Sequence, residues 1–525
     1  MTKSVLFFML TVLSLGMYAQ DITVEGSIFN AQTKEAVSNV EVRLKGAINI
    51  EAKSDEQGHF KMIVPEKSSK KLVFTADGFD KQEIDAIESM EVFMVPATRV
   101  NQYGKSISQR TPIDVENRDG ILVFESADKK FKYWFDSRLY FDGAYFFDEN
   151  AYNPIGNGVN VRRARFAIKA NLWQNWYGEL DLDFAGAVME LKDAYLKYTT
   201  DNQKFNFKIG NFKEGFSMES TTTSRYLMFT ERSLVNELAP SRHMGVNGTY
   251  SDQLFTAIAG VHFQKVGEAE EVAFTEAKNK DDGIDEGISF TGRLAIHPKI
   301  GENLLVHVGG GASYRTPKTS WETERAFRLS TRSLTTINRK KYLDTDEFSA
   351  IDNQFLTGAE LAFAYKNIMF QGEYMMTQFN RFEGYENAKF DGFYAQAGYL
   401  IFGGNYNYNN GEAEFTQVTR GKEWGDLELA IRYDYLNLND FEAQIYGGSA
   451  QAYTIGLNYY VNDNVKFMLN YSILDHDRYA NGKGKLNVGH DVDGNLTSDY
   501  KTIIEEAGTA GDDFGFIQAR IEIDF

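Results

Sequence analysis

The chain contains no cysteine in its 525 residues, and it has no apolar run approaching the roughly 18 residues that a membrane helix requires. Without cysteine, neither a disulfide framework nor a lipid anchor at a new N-terminal cysteine is possible. Without a membrane helix, any crossing of a bilayer must be made by a closed β-barrel. Positive charge is also in deficit: 55 Lys and Arg stand against 74 Asp and Glu, a formal net charge of -19, which argues against a nucleic-acid partner. That deficit does not set the sign of a pore, because charge is focused locally in narrow clefts. None of the seven histidines opens an H-x-x-E or H-E-x-x-H, so zinc-peptidase chemistry has no ligands. His243, His262, His297 and His307 fall on strands with no nucleophile and base beside them. The expectation is no catalytic residue, no metal and no cofactor.

Several positive features remain. Residues 1–19 carry Lys3, an apolar run from Val5 to Leu15 and a small-residue exit at Ala19, the pattern of a cleaved secretory signal. Short strands separated by turn residues follow from Asp21 to about Pro96: Ile22–Phe29, Val40–Leu44, His59–Val64, Lys71–Ala76 and Met90–Val95. They predict a small β-sandwich over 20–97. Residues 98–119 are polar and aperiodic and read as a linker.

From 120 to 525 the period is two. In the second strand, Arg162, Ala164, Phe166, Ile168, Ala170 and Leu172 share one face and Arg163, Arg165, Lys169 and Asn171 the other. After a bend at Trp173, Gln174 and Asn175 the alternation resumes with Leu180, Leu182 and Phe184 against Glu179, Asp181 and Asp183. Sixteen such strands can be placed, an even number. Short connections at one end alternate with long loops at the other, and the stretch 403–423 is the exception, long on the short side. The final strand sets Ile517, Ala519, Ile521, Ile523 and Phe525 against Gln518, Arg520, Glu522 and Asp524. The fold class is all-β: a 16-stranded antiparallel transmembrane β-barrel over 120–525 behind a β-sandwich.

Two resemblances sharpen this. In the N-terminal unit, Val24, Gly26, Ile28, then Val40, Val42, Leu44, then Asp55, Gly58, Phe60, then Phe74, Gly78, Phe79 resemble the carboxypeptidase-regulatory-like sandwich, which implies a non-catalytic accessory. In the barrel, Arg162-Arg163-Ala164-Arg165-Phe166, Leu191 to Tyr198, Ile209-Gly210-Asn211-Phe212-Lys213 with Phe216, Phe229 with Glu231-Arg232, Phe390 to Tyr399 and Gly425 to Tyr433 resemble the phosphate-selective porin O/P family. That resemblance implies an outer-membrane homotrimer embedded in lipid and lipopolysaccharide, the sandwich on the periplasmic side, passing small hydrophilic solutes with anions such as phosphate foremost. The alternative is a receptor or adhesin that uses the barrel as an anchor and the sandwich to bind a partner.

In porins of this kind inward-folded loops narrow the lumen. By position the third loop, 212–242, is the expected eyelet, with Lys213, Arg225, Arg232 and Arg242 as candidate anion-binding residues and Arg163, Arg165 and Lys169 on the wall. If Arg165 lies opposite Asp183 and Lys169 opposite Glu179, the wall is a ladder of ion pairs with little net field, as in a general porin. Arg232 and Arg242 are likewise silent if Glu231 and Glu237 neutralise them. The basic loop 315–341 either overhangs the mouth or meets surface polysaccharide. The acidic run in 266–287 reads as a solvated face rather than a calcium site, and Asp491, Asp493 and Asn495 as a turn.

Overall fold

The computed structural model describes residues 21–525 except 48–49, 66–67, 98, 101–105, 108–112, 119–120, 148–150, 269–283 and 321–324. The chain forms two compact units that divide between Pro112 and Ile113. The signal segment and most of the acidic run, including Glu270, Glu271, Glu276, Asp281 and Asp282, lie outside the described residues.

In the first unit Ile22–Asn30 is the central strand of a three-stranded sheet, antiparallel to His59–Val64 and parallel to Ser89–Met94. A second sheet joins Glu51–Lys53, Glu41–Leu44, Lys71–Thr75 and Gln82–Asp85. Alternate residues of both sheets, among them Val24, Ile28, Val42, Leu44, Phe60, Phe74 and Val92, form one core. Gly26 lies where a Cβ would come within 2.6 Å of the Met90 carbonyl oxygen, so glycine permits the close strand approach.

The second unit is a closed barrel of sixteen antiparallel strands: Phe131–Phe147, Gly158–Leu172, Trp176–Asp183, Glu190–Thr199, Phe205–Lys213, Arg242–Ser251, Phe255–His262, Ser289–Ile296, Leu304–Arg315, Ile351–Tyr365, Ile368–Arg381, Ala388–Leu400, Asp426–Asp440, Ile445–Tyr460, Val465–His476 and Phe514–Asp524. Each pairs with the next, and the last pairs with the first from Arg138↔Asp524 to Phe147↔Gly515. Closure leaves no free edge in the lipid-facing wall. The alternation runs polar-inward: Arg520 is 1% exposed while its neighbour Ile521 is 42% exposed, the reverse of a water-soluble sheet. Phe166, Phe184, Phe363 and Tyr399, expected on the outer face, are all exposed.

The connections 173–175, 200–204, 252–254, 297–303, 366–367 and 461–464 gather at one end, here the turn end, together with the long connection 401–425; the other connections form the loop end. In the turn 173–175 Trp173 and Gln174 both have positive φ, 48° and 69°, the backbone that matches the twist of a two-strand hairpin.

Two expectations need correction. Residues 113–118, assigned to the linker, form the strand Ile113–Arg118, which pairs with Ile121–Ser126, itself joined to the start of the first barrel strand. Ile113 and Val115 alternate with Asp114 and Glu116 there, a period of two hidden by its shortness. Arg162, placed on the lipid face, sits in a bulge where Tyr140 pairs with Arg163 and Phe141 with Val161. The extra residue breaks the alternation and sends the guanidinium inward, to Glu231.

Candidate functional site

The eyelet is built by acids on one wall that hold a loop by its backbone. Residues 214–241 fold into the lumen and begin with the helix Met218–Thr221, capped by Ser217, whose hydroxyl accepts the Ser220 N–H at 3.1 Å. The free amides of Met218 and Glu219 donate to the Glu373 carboxylate of the eleventh strand at 3.1 and 2.7 Å. The Glu219 carboxylate in turn accepts the Ser233 N–H at 3.0 Å. Asp434 of the thirteenth strand accepts the Leu234 N–H at 3.1 Å. Three acids inside the barrel, Glu219, Glu373 and Asp434, thus hold backbone in place.

Apolar packing fills the rest of that side. Leu234, Val235 and Leu238 of the eyelet join Leu329, Leu334, Tyr342, Leu343 and Phe348 of the connection 316–350, and Phe379, Phe390, Phe514 and Phe516 of the wall, in one buried cluster. The basic loop is thus folded into the mouth through its apolar residues, and Arg328 is paired with Asp344 at 2.5 Å.

Two cavities remain open beside this packing. An outer cavity of about 730 Å³ lies at the loop end, bordered by Lys265, Arg315 and Lys318 among others. An inner chamber of about 270 Å³ is bordered by Arg163, Arg165, Lys169, Lys213, Arg225, Arg232 and Arg242, all seven of the residues singled out from the sequence. Lys213, Arg232 and Arg242 border both, which makes them the junction of the two. Arg138 and Lys208 also border the inner chamber. Neither was picked out, although each occupies an inward position of the period-two pattern.

The charges are compensated unevenly. As the alternation allowed, Arg165 lies opposite Asp183 and Lys169 opposite Glu179; Arg165 bonds Asp183 at 2.9 Å, while Lys169 and Arg225 both reach Asp136 at 2.5 Å. Arg242 is paired with Asp193 at 2.5 Å. By contrast Lys213 donates to the carbonyls of Ser220, Thr221 and Thr222 at 2.7, 3.2 and 3.1 Å. Arg232 donates to the carbonyls of Glu219 and Thr222 at 2.9 and 2.5 Å. Both basic groups cluster at the C-terminal end of the short helix, where unsatisfied carbonyls take up their N–H donors. Burial lowers the Arg232 guanidinium to about 10, so it remains a cation at neutral pH. Arg163 lies over Tyr140, 5.7 Å from the ring centroid. None of these three enters an ion pair among the described residues.

The acids expected to neutralise the eyelet are engaged elsewhere. Glu231 receives Arg162 at 2.5 and 2.7 Å and Arg520 at 3.2 Å. Burial opposes its ionisation, yet Arg162 brings it down to about 2. Glu237 accepts the Ser330 N–H at 3.2 Å.

At the turn end the long connection 401–425 also enters the lumen. Arg293, paired with Glu360 at 2.7 Å, donates to the carbonyls of Glu412 and Ala413 at 3.0 and 2.8 Å. Tyr408 meets His307 at 2.6 Å. Glu412 and Glu414 thereby reach the inner chamber, a position the sequence did not reveal beyond the anomalous length of the segment. At the loop end Asp491 accepts the amides of Asp493 and Asn495, the expected turn.

The description "Phosphate-selective porin O and P" matches residues 137–498 of this chain. Porin O of Pseudomonas aeruginosa is 26% identical over 409 residues, 71% of this chain and 89% of that one. Among solved structures, an anion-selective porin from Comamonas acidovorans is similar with a TM-score of 0.43 and 11% identity, covering 75% of this chain and 100% of the other. The outer-membrane channel DcaP of Acinetobacter baumannii is similar with a TM-score of 0.44 and 11% identity, covering 77% and 99%.

Proposed function

The chain belongs to the phosphate-selective porin O and P family, and on that premise we propose that it is an outer-membrane porin whose conduit favours small anions, phosphate among them. The observation that carries this is the junction of the two cavities: Arg232 stands there as a cation held by backbone carbonyls rather than by a carboxylate, beside Lys213, whose amine is likewise held by carbonyls. In a narrow passage with low-dielectric walls an uncompensated charge acts on a solute far more strongly than at the surface. The overall acidity of the chain then matters less than the local charge, and the wall acids Glu373 and Asp434 are engaged with eyelet backbone.

The conduit reading extends to assembly and placement. The protein assembles as a homotrimer through part of its outer apolar belt, surrounded elsewhere by lipid and lipopolysaccharide. The turn end faces the periplasm, as short turns do in barrels of this kind, and the N-terminal unit is a carboxypeptidase-regulatory-like accessory domain on that side.

The test is a reversal potential in a planar bilayer under a potassium chloride gradient. The wild type should be anion-selective, and Lys213→Gln with Arg232→Gln should move the reversal potential toward that of potassium. A double variant with unchanged selectivity would sink the assignment.

A further inference from the structure

The connection 401–425 is long on the side where turns are short, and it is held inside the barrel by specific contacts. Beyond Arg293 and Tyr408, Thr256 donates to the Asn410 carbonyl at 2.5 Å, and Phe415 packs against Met218 and Phe229 of the eyelet. These contacts carry two carboxylates into a chamber whose wall is basic. Three lysines of this region have no carboxylate within ion-pair distance among the described residues. Lys208 lies 4.8 Å from the Tyr195 ring centroid and Lys197 lies 5.0 Å from that of Tyr177; neither has an ion-pair partner among the described residues, and Lys213 is held by carbonyls.

We propose that Glu412 and Glu414 are specificity-determining residues of the conduit, tethered carboxylates that share the inner chamber with Lys208 and Lys213 and that a passing anion must outcompete there. A multiply charged anion competes for the lysines better than chloride, so the two carboxylates set a charge threshold at this end of the path. Burial opposes ionisation of Glu412, but Lys208 and Lys197 hold its carboxyl below the ordinary value, so it is charged. Burial and the neighbouring Glu412 raise Glu414, as expected where two acids share one site. This inference rests on the porin reading and refines it.

The test uses the full-length protein in planar bilayers, with chloride and hydrogen phosphate as probes. Glu412→Gln with Glu414→Gln should raise the chloride-to-potassium permeability ratio about fivefold, the effect of an uncompensated charge at this range, and should diminish any preference for phosphate over chloride. Glu383→Gln with Glu386→Gln removes the same charge from an exposed connection at the loop end and should change neither. If the glutamine variants do not assemble, Lys208→Gln decides: it leaves Glu412 less compensated and should lower the chloride-to-potassium ratio. Wild-type selectivity in either variant overturns the inference. A wild-type protein that passes no anion overturns the porin reading, and this one with it.

Discussion

Individual charges here have distinct roles according to their partners. Arg520 on the last strand forms a two-point pair with Asp142 on the first, at 2.7 and 2.8 Å, where the barrel closes, and also reaches Glu231. Arg520→Leu would leave the buried Asp142 carboxylate without its cation, and a broken buried pair costs about 3–5 kcal/mol. The heat-induced loss of the compact band on a gel should therefore shift to lower temperature. Glu237 behaves differently: burial pushes its carboxyl up from 4.5 to about 7, because the Ser330 N–H is weak compensation for a buried charge. A carboxyl raised in the seated state favours seating at low pH. That advantage should fall as pH rises from about 4.5 to about 7 and level off above it. The protection factor of the Ser330 amide, which is corrected for the intrinsic pH dependence of exchange, should fall across that window, and Glu237→Gln should remove that fall.

Among the elements, the eyelet is positioned by what its ends lack. The helix Met218–Thr221 is too short to be stable alone, and its open amides find Glu373 while the amide of Leu234 finds Asp434. Replacing both acids by alanine should remove about 1 kcal/mol per cap, roughly a thirtyfold change in the equilibrium between seated and released loop. Single-channel records should then show larger and noisier currents. Records as quiet as those of the wild type would mean that the apolar cluster around Leu234, Val235 and Phe379 holds the loop unaided.

For the whole molecule, closure between the first and last strands makes the barrel complete from Phe131 to Asp524, and the N-terminal unit has its own core. A protein lacking residues 21–112 should therefore insert and conduct with unchanged selectivity; altered selectivity would assign the sandwich a part in the conduit. The exposed apolar belt, with Phe166, Phe363 and Tyr399 in it, leads to a second expectation: native mass measurement in mild detergent should find three chains. A monomer alone would count against the trimer.

The sequence by itself determined the alternation, and with it the sixteen strands, the inward face and the basic residues along it, because a side-chain period of two is a local property that each strand carries alone. It also determined that the eyelet and the wall would be rich in arginine. Which charges remain uncompensated was decided only by the tertiary structure. Arg162 pairs with Glu231, 69 positions away, because a bulge turns it inward, and Glu231 also meets Arg520, 289 positions away. Arg293 and Ala413, 120 positions apart, meet because the connection 401–425 folds into the lumen. Closing the sheet brings distant strands and loops face to face, so the electrostatics of the path depend on pairings that no single segment of the chain encodes.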